Sequence, residues 1–295
     1  MTPDRVVVSG IDGGLLDPVT KDYDAARPAI AALARLRVPL VLCSSRPRAE
    51  VELVSRLFGL GAPMIVENGA VLVVPDGHLG HGVPGGRWDG GCHVVQLGPP
   101  RERLREALAE VAAAARVEVR AVAQSGMRFP AGLAGLLGSV SRGHEHTEPF
   151  LLEREEDAPA LAREAEARGL CVARAERLYY LCGGADKGLA VRTLLSLYER
   201  EGTLPRAIAL GAWQVDLPML RAVHRPIGRP GPGGRVEPQL AAELPHAERA
   251  RSGGPEGWND AVLTALTGRR LPTVSSDRSK DGPPTDGALA LAARG

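Results

Sequence analysis

Short apolar runs alternate with segments of helical periodicity at both ends of this chain, and that alternation limits its fold more than any other feature of the sequence. Val6-Val7-Val8, Val38 to Cys43 and Met64-Ile65-Val66 read as short strands buried on both faces. Between them, apolar residues recur at helical spacing, first from Ala25 through Ile30, Leu33 and Leu36, then at Val51, Leu53, Val54 and Leu57. The turn Asn68-Gly69 leads into a fourth strand, Ala70 to Val74. The same rhythm returns at the helix opening on Asp186-Lys187-Gly188, the strand Ala207 to Leu210, the helix start at Leu217 and a last helix, Trp258 to Leu266. Strands and helices in alternation predict an α/β fold: a parallel sheet with helices on both faces.

The rhythm breaks in the middle. A Gly/Pro-rich stretch from Pro75 to Asp89 reads as a linker. Beyond it come a strand (His93 to Leu97), an amphipathic helix (Arg101 to Ala115), a strand (Val117 to Val122), a weakly patterned helical segment, the run Pro149 to Leu152, a helix (Ala158 to Ala167) and strands around Cys171 to Leu181. The expected organisation is therefore a core in two pieces, 1–82 and 183–269, around an inserted α+β domain at 83–182. The Ser-, Asp-, Gly- and Pro-containing stretch 270–295 is expected to be a disordered tail.

Composition matters mainly for what it excludes. A formal net charge of +1 gives no reason to expect nucleic acid or an anionic membrane as the main partner, and no apolar run is long enough to span a bilayer. The apolar run beginning at Val6 leaves no room for a signal peptide, so a cytoplasmic protein is expected. Cys43, Cys92, Cys171 and Cys182 have neither disulfide-framework nor zinc spacing and read as small apolar residues. Of the basic residues only Lys21, Lys187 and Lys280 are lysines, so most arginines carry little information and each lysine draws attention.

In an open parallel sheet, ligands sit beyond the carboxyl ends of the strands. The loops Ser9 to Asp17, Ser44 to Pro47 and Gly211 to Asp216 fall at such ends, and Gly183 to Gly188 lies at a helix start. The run Ile11-Asp12-Gly13-Gly14-Leu15-Leu16-Asp17 resembles the first motif of the haloacid dehalogenase superfamily, a hydrophobic strand followed by D-x-D-G-T-L. Ser44 resembles its second-motif hydroxyl and Lys187 its third-motif lysine, while Leu210 to Leu220 is similar to the fourth motif, commonly L-G-D-x-x-N-D-L-P-M-L. Cys43-Ser44-Ser45-Arg46, Glu67-Asn68-Gly69-Ala70 and Gly254 to Asn259 resemble the mannosyl-3-phosphoglycerate phosphatases. The resemblance reaches to about Gly268 and implies a Rossmann-like core, an α+β cap inserted after the third strand, phosphate-monoester hydrolysis and Mg2+ as cofactor.

Several positions depart from that pattern. Aligned on the first motif, Asp12 takes the place of the general acid/base, and the nucleophilic aspartate is replaced by Gly10. Gly14 stands where the family has threonine, Ala212 where it has a metal-binding aspartate and Val215 where it has asparagine. Glycine cannot form an aspartyl-phosphate, and losing a catalytic nucleophile costs about a millionfold in comparable covalent enzymes, ~8 kcal/mol of barrier. Magnesium favours octahedral oxygen coordination, and Asp216 with the Asp12 carbonyl makes a poor cage once Gly10 and Ala212 offer no carboxylate. What remains can still receive an anion: Lys187 supplies charge, Ser44 a hydroxyl, and the Ser9 to Gly14 loop backbone N–H groups.

The expected function is a catalytically impaired phosphatase relative that binds a phosphorylated sugar or glycerate compound, with Arg46 and Asn68 as substrate contacts. The alternatives are a working phosphatase using Asp12 or Asp17 as nucleophile, and a regulatory module that binds another protein. Plainer roles also stand: Lys187 as a solvated helix-start residue, Ser44 as a helix cap, Gly10 as a turn residue, and Asp12 and Asp216 as capping carboxylates. Trp258 reads as packing for the last helix, and Arg142, His144 and His146 as a solvated loop.

Overall fold

The computed structural model describes residues 3–17, 20–122, 143–175, 178–231 and 234–277. Arg142, Lys280 and most of the weakly patterned segment before Gly143 lie outside the described residues. The first part of the chain runs β1 (Arg5–Ser9), α1 (Arg27–Arg35), β2 (Leu40–Cys43), α2 (Arg48–Leu57), β3 (Met64–Val66) and β4 (Val71–Pro75). A middle part follows with β5 (Gly86–Asp89), β6 (Cys92–Gln96), α3 (Arg101–Ala115), β7 (Val119–Ala121), β8 (Glu148–Leu152), α4 (Ala158–Glu166), β9 (Cys171–Ala175) and β10 (Leu178–Cys182). The last part contains α5 (Lys187–Arg200), β11 (Arg206–Gly211), α6 (Leu217–Arg221), β12 (Arg225–Gly228), α7 (Pro238–Glu243), β13 (Glu248–Arg249) and α8 (Gly254–Leu266).

Two sheets result. The larger has nine strands in the order β13-β12-β11-β1-β2-β3-β4-β6-β5, parallel from β13 through β3 and antiparallel from there to β5. The smaller is antiparallel, in the order β7-β8-β10-β9. This is the mixed α/β class expected.

Strand alternation divides the core of the larger sheet. Val7, Leu40, Leu42, Ile208 and Leu210 face one way and pack with Trp258 and Val262 of α8. Val6, Val8, Val41, Ala207 and Ala209 face the other and meet Leu194 and Tyr198 of α5. A separate cluster, with Leu104, Leu108, Val111, Phe150, Leu161 and Leu181, fills the space between the smaller sheet and its helices.

Three elements differ from expectation. The strand read at His93 to Leu97 as part of the insert is β6, and it pairs with β4 of the larger sheet, with Val73 opposite Val94. β5, inside the stretch read as a linker, pairs with β6 as an edge hairpin. An unpaired β4 would leave a row of backbone groups without partners, and these two strands cover it. Finally, residues 270–277 do not begin a loose tail. Leu271 and Val274 are buried, Val274 N–H donates to the Ala247 carbonyl (2.9 Å), and the Leu271 N–H donates to the Glu248 carboxylate (2.8 Å).

Candidate functional site

Adjacent parallel strands β12, β11, β1, β2 and β3 all end on the same edge of the larger sheet. The residues just past those ends are Arg229, Ala212, Gly10, Ser44 and Glu67. Strand register thus gathers these five loops on one edge, and α5 brings Lys187 to it. Asp186 precedes that helix, and its carboxylate accepts from the Leu189 N–H (2.6 Å), which caps the first turn.

Lys187 is buried and donates to Asp216 Oδ1 at 2.7 Å, so it is not a solvated helix-start residue. Asp216 does not cap α6 through its side chain. Its Oδ2 accepts from the Ala212 and Trp213 N–H groups at 2.9 and 3.1 Å, folding the fourth-motif loop around a carboxylate. Burial alone would push Asp216 upward, but Lys187 and these N–H donors hold it below the ordinary carboxylate range. Burial likewise opposes the charge on Lys187, and Asp216 outweighs it, raising the ammonium pKa.

Asp12 is bound at the mouth of the site. Arg46 grips it with both arms of the guanidinium, Nε to Oδ2 at 2.8 Å and Nη2 to Oδ1 at 2.7 Å, and Lys21 Nζ adds a contact at 3.2 Å. Arg46 reaches Glu50 with its remaining arm at 2.6 Å. Burial works to raise the Asp12 pKa, yet the two cations win and lower it to about 2. A carboxyl ionised at that level is a poor proton donor near neutrality. Arg46, expected as a substrate contact, is thus first of all the partner of Asp12.

Ser44 Oγ accepts from the Arg46 N–H (3.1 Å), turning its own loop rather than capping α2. The Glu67-Asn68 turn crosses this loop, with Glu67 N–H donating to the Arg46 carbonyl and Asn68 N–H to the Ser44 carbonyl, each at 3.0 Å. Asn68 adopts a left-handed backbone, and its amide is buried with no hydrogen-bond partner for either atom. Trp258 is wholly buried on α8, as expected of packing, and its indole N–H donates to Ser9 Oγ (2.8 Å), which donates in turn to the Gly10 carbonyl (2.8 Å).

Four groups at the site escaped the sequence reading. Lys21 was visible only through lysine scarcity, since nothing in its spacing ties it to Asp12. Glu67 is buried, and its carboxylate accepts from the N–H groups of Glu145 and His146 and from Thr147 Oγ1 at 2.8 to 3.1 Å. It thereby ties the middle part of the chain to β3. His144, expected in a solvated loop, is buried with Nε2 against the Ser45 carbonyl at 3.1 Å, whereas His146 is half-buried.

Arg229 is the fourth. It follows β12, has no exposed surface, and its guanidinium donates to the Gly13 carbonyl and, at 3.5 Å, to the Asp12 carbonyl. A Cβ built on Gly10 would stand 3.7 Å from Arg229 Nη2 and 3.9 Å from Asp216 Oδ2, and one built on Gly14 would fall 2.5 Å from the guanidinium carbon. Burial lowers the Arg229 pKa to about 10 against the weaker pull of Asp216 and Asp12.

These residues do not fit a divalent cation. Gly10 and Ala212 offer no side-chain oxygen, Asp216 is engaged by Lys187, and a guanidinium occupies the space beside Gly10. Among the described residues, no three His, Cys, Asp or Glu side chains group to hold a metal ion.

Residues 7–79 match the family model described as haloacid dehalogenase-like hydrolase. A glucosyl-3-phosphoglycerate/mannosyl-3-phosphoglycerate phosphatase of Methanococcoides burtonii is 32% identical over 267 residues, covering 89% of this chain and 97% of its own. The chain belongs to the haloacid dehalogenase-like hydrolases. A phosphatase of the same name from Persephonella marina is 29% identical over 266 residues, 88% of this chain and 97% of that one. A crystal structure of a Thermoplasma acidophilum protein shares the fold with a TM-score of 0.64 at 18% identity, over 88% of this chain and 97% of that chain. No helix among the described residues is long and apolar enough to cross a membrane.

Proposed function

We propose that this member of the family binds a phosphorylated sugar or glycerate compound without hydrolysing it. The observation that carries this reading is Gly10. It follows β1 directly, its N–H donates to the Leu210 carbonyl (3.2 Å), and it has no side chain to attack phosphorus where Lys187 and Asp216 converge. The other reacting group is engaged too, since the Asp12 carboxylate is paired with Arg46 and Lys21. Binding would use the Lys187 charge, the Ser44 hydroxyl and the backbone N–H groups of the Ser9 to Gly14 loop, with no metal. The names of the relatives support the ligand class: phosphate esters of glycerate carrying a hexose. In this reading the smaller sheet with α3 and α4 serves as the cap, beginning after β6 rather than at residue 83, and Glu67 fastens it to the core.

Asp12 and Asp17 are the nearest candidates for a substitute nucleophile. Asp12 is spent on Arg46, and Asp17 Oδ1 accepts from the Thr20 N–H at 2.7 Å. Calorimetry with 3-phosphoglycerate-type ligands, with and without a chelator, tests the proposal. Binding unaffected by chelator is expected, and strictly magnesium-dependent binding would overturn it.

A further inference from the structure

Gly10 and Gly14 look like separate oddities in the sequence and Arg229 like one arginine among many, but in space the two glycines lie against the Arg229 guanidinium. With Arg229 where it stands, a Cβ on Gly14 would run into the guanidinium, so a side chain there would displace it. Gly10 leaves open the space that Arg229 Nη2 borders, and Arg229 itself is fixed by its N–H on the Gly211 carbonyl (2.8 Å), one residue before Ala212. Two glycines leave the guanidinium its place.

The charge on that guanidinium is also unusual. Asp12 and Glu50 pair with Arg46, Asp12 also with Lys21, and Asp216 with Lys187. Arg229 has no carboxylate within ion-pair distance among the described residues, only backbone carbonyls, and its Nε has no partner at all. A buried cation without a counter-ion is costly, and an anion brought within reach of it would offset that cost. The loop it underlies, Ser9 to Gly14, is the one proposed above to receive the phosphoryl group.

We infer that Arg229 replaces the divalent cation of this family: its guanidinium excludes a metal from the site and supplies the fixed positive charge toward which a phosphoryl oxyanion is drawn. This rests on the reading of these loops as a phosphate site, and it adds the reason why no metal is needed. It also changes what restoring the family residues should do. An aspartate introduced at position 10 would meet Arg229 before it met a metal.

Mn2+ alone, followed by its paramagnetic signal, is the first probe. Gly10→Asp with Ala212→Asp should bind Mn2+ no better than the wild type, and adding Arg229→Met to that pair should tighten binding by about tenfold or more. Equal Mn2+ affinity in the double and triple variants would overturn the exclusion of metal by Arg229. Inorganic phosphate in excess chelator, measured by calorimetry, is the second probe. Wild type should bind it, Arg229→Lys more weakly, and Arg229→Met at least about tenfold more weakly, with thermal melts reporting that each variant is folded. Unchanged phosphate affinity in Arg229→Met would overturn its role as charge donor. If the wild type takes up no phosphate, the ligand reading fails and the charge-donor role fails with it, whereas the Mn2+ comparison still decides the exclusion of metal.

Discussion

Two arginines with opposite surroundings set the character of the site. Arg46 lies between Asp12 and Glu50 and is fully answered, and Arg229 is buried against carbonyls alone. The first pairing has a pH signature. Asp12 falls from 3.8 to about 2 on folding, so its ion pairs stabilise the protein above the ordinary carboxylate range, and that contribution is lost as pH drops from about 4 to 2. The shift corresponds to about 2 kcal/mol. Urea denaturation across that window should therefore show a steeper loss of stability for wild type than for Asp12→Asn. Parallel curves would mean that Asp12 is not held as described. The second arginine predicts the reverse of a usual truncation. Because Arg229 is a depressed, uncompensated cation, Arg229→Met should leave the ligand-free protein within about 1 kcal/mol of wild type, or above it. A melting temperature lowered by many degrees would show instead that the guanidinium is a structural fastener.

Where elements meet, the site depends on close approach of backbone. Gly69, at φ +92°, lies against the Asp186 carbonyl, and a Cβ there would overlap it. This contact seats the start of α5, and with it Lys187, against the turn after β3. Gly69→Ala should cost about 2–4 kcal/mol by chemical denaturation, combining strain at positive φ with overpacking; a cost under about 0.5 kcal/mol would contradict so tight an approach. The elements around these contacts were largely legible in the sequence, because β1, β2, β3 and β11 are centred on apolar runs and α3 follows its period from Arg101 to Ala115. β12 was not. Arg225-Pro226-Ile227-Gly228 carries a proline and a glycine, both poor strand formers, and only its neighbours β11 and β13 hold it in the sheet. Missing that strand meant missing Arg229 at its end, in a chain where one more arginine gave no signal. Ser44, Lys187, Asp12 and Asp216 could be placed because motif order survives where motif chemistry does not. Their pairings could not be read, since Asp12 with Arg46 and Lys187 with Asp216 join loops separated along the chain.

For the molecule as a whole, the point of interest is how its middle part is held against the sheet edge that carries the site. Glu67 accepts three hydrogen bonds from residues 145–147, a charged carboxylate meeting two backbone N–H groups and a hydroxyl. Glu67→Gln removes the charge and one acceptor, and the Glu145 and His146 amides should then exchange with solvent about tenfold faster while amides of β1 and β11 do not change. Uniform acceleration would instead indicate global destabilisation. The central claim, that the sheet edge receives a phosphate ester but cannot cleave it, is met most directly by inorganic phosphate release from a broad panel of phosphate esters, with purified wild type and Asp216→Ala assayed side by side in the presence of Mg2+. No release above the protein-free blank is the expected result for both. Release by wild type that scales with protein concentration and disappears in Asp216→Ala would contradict it.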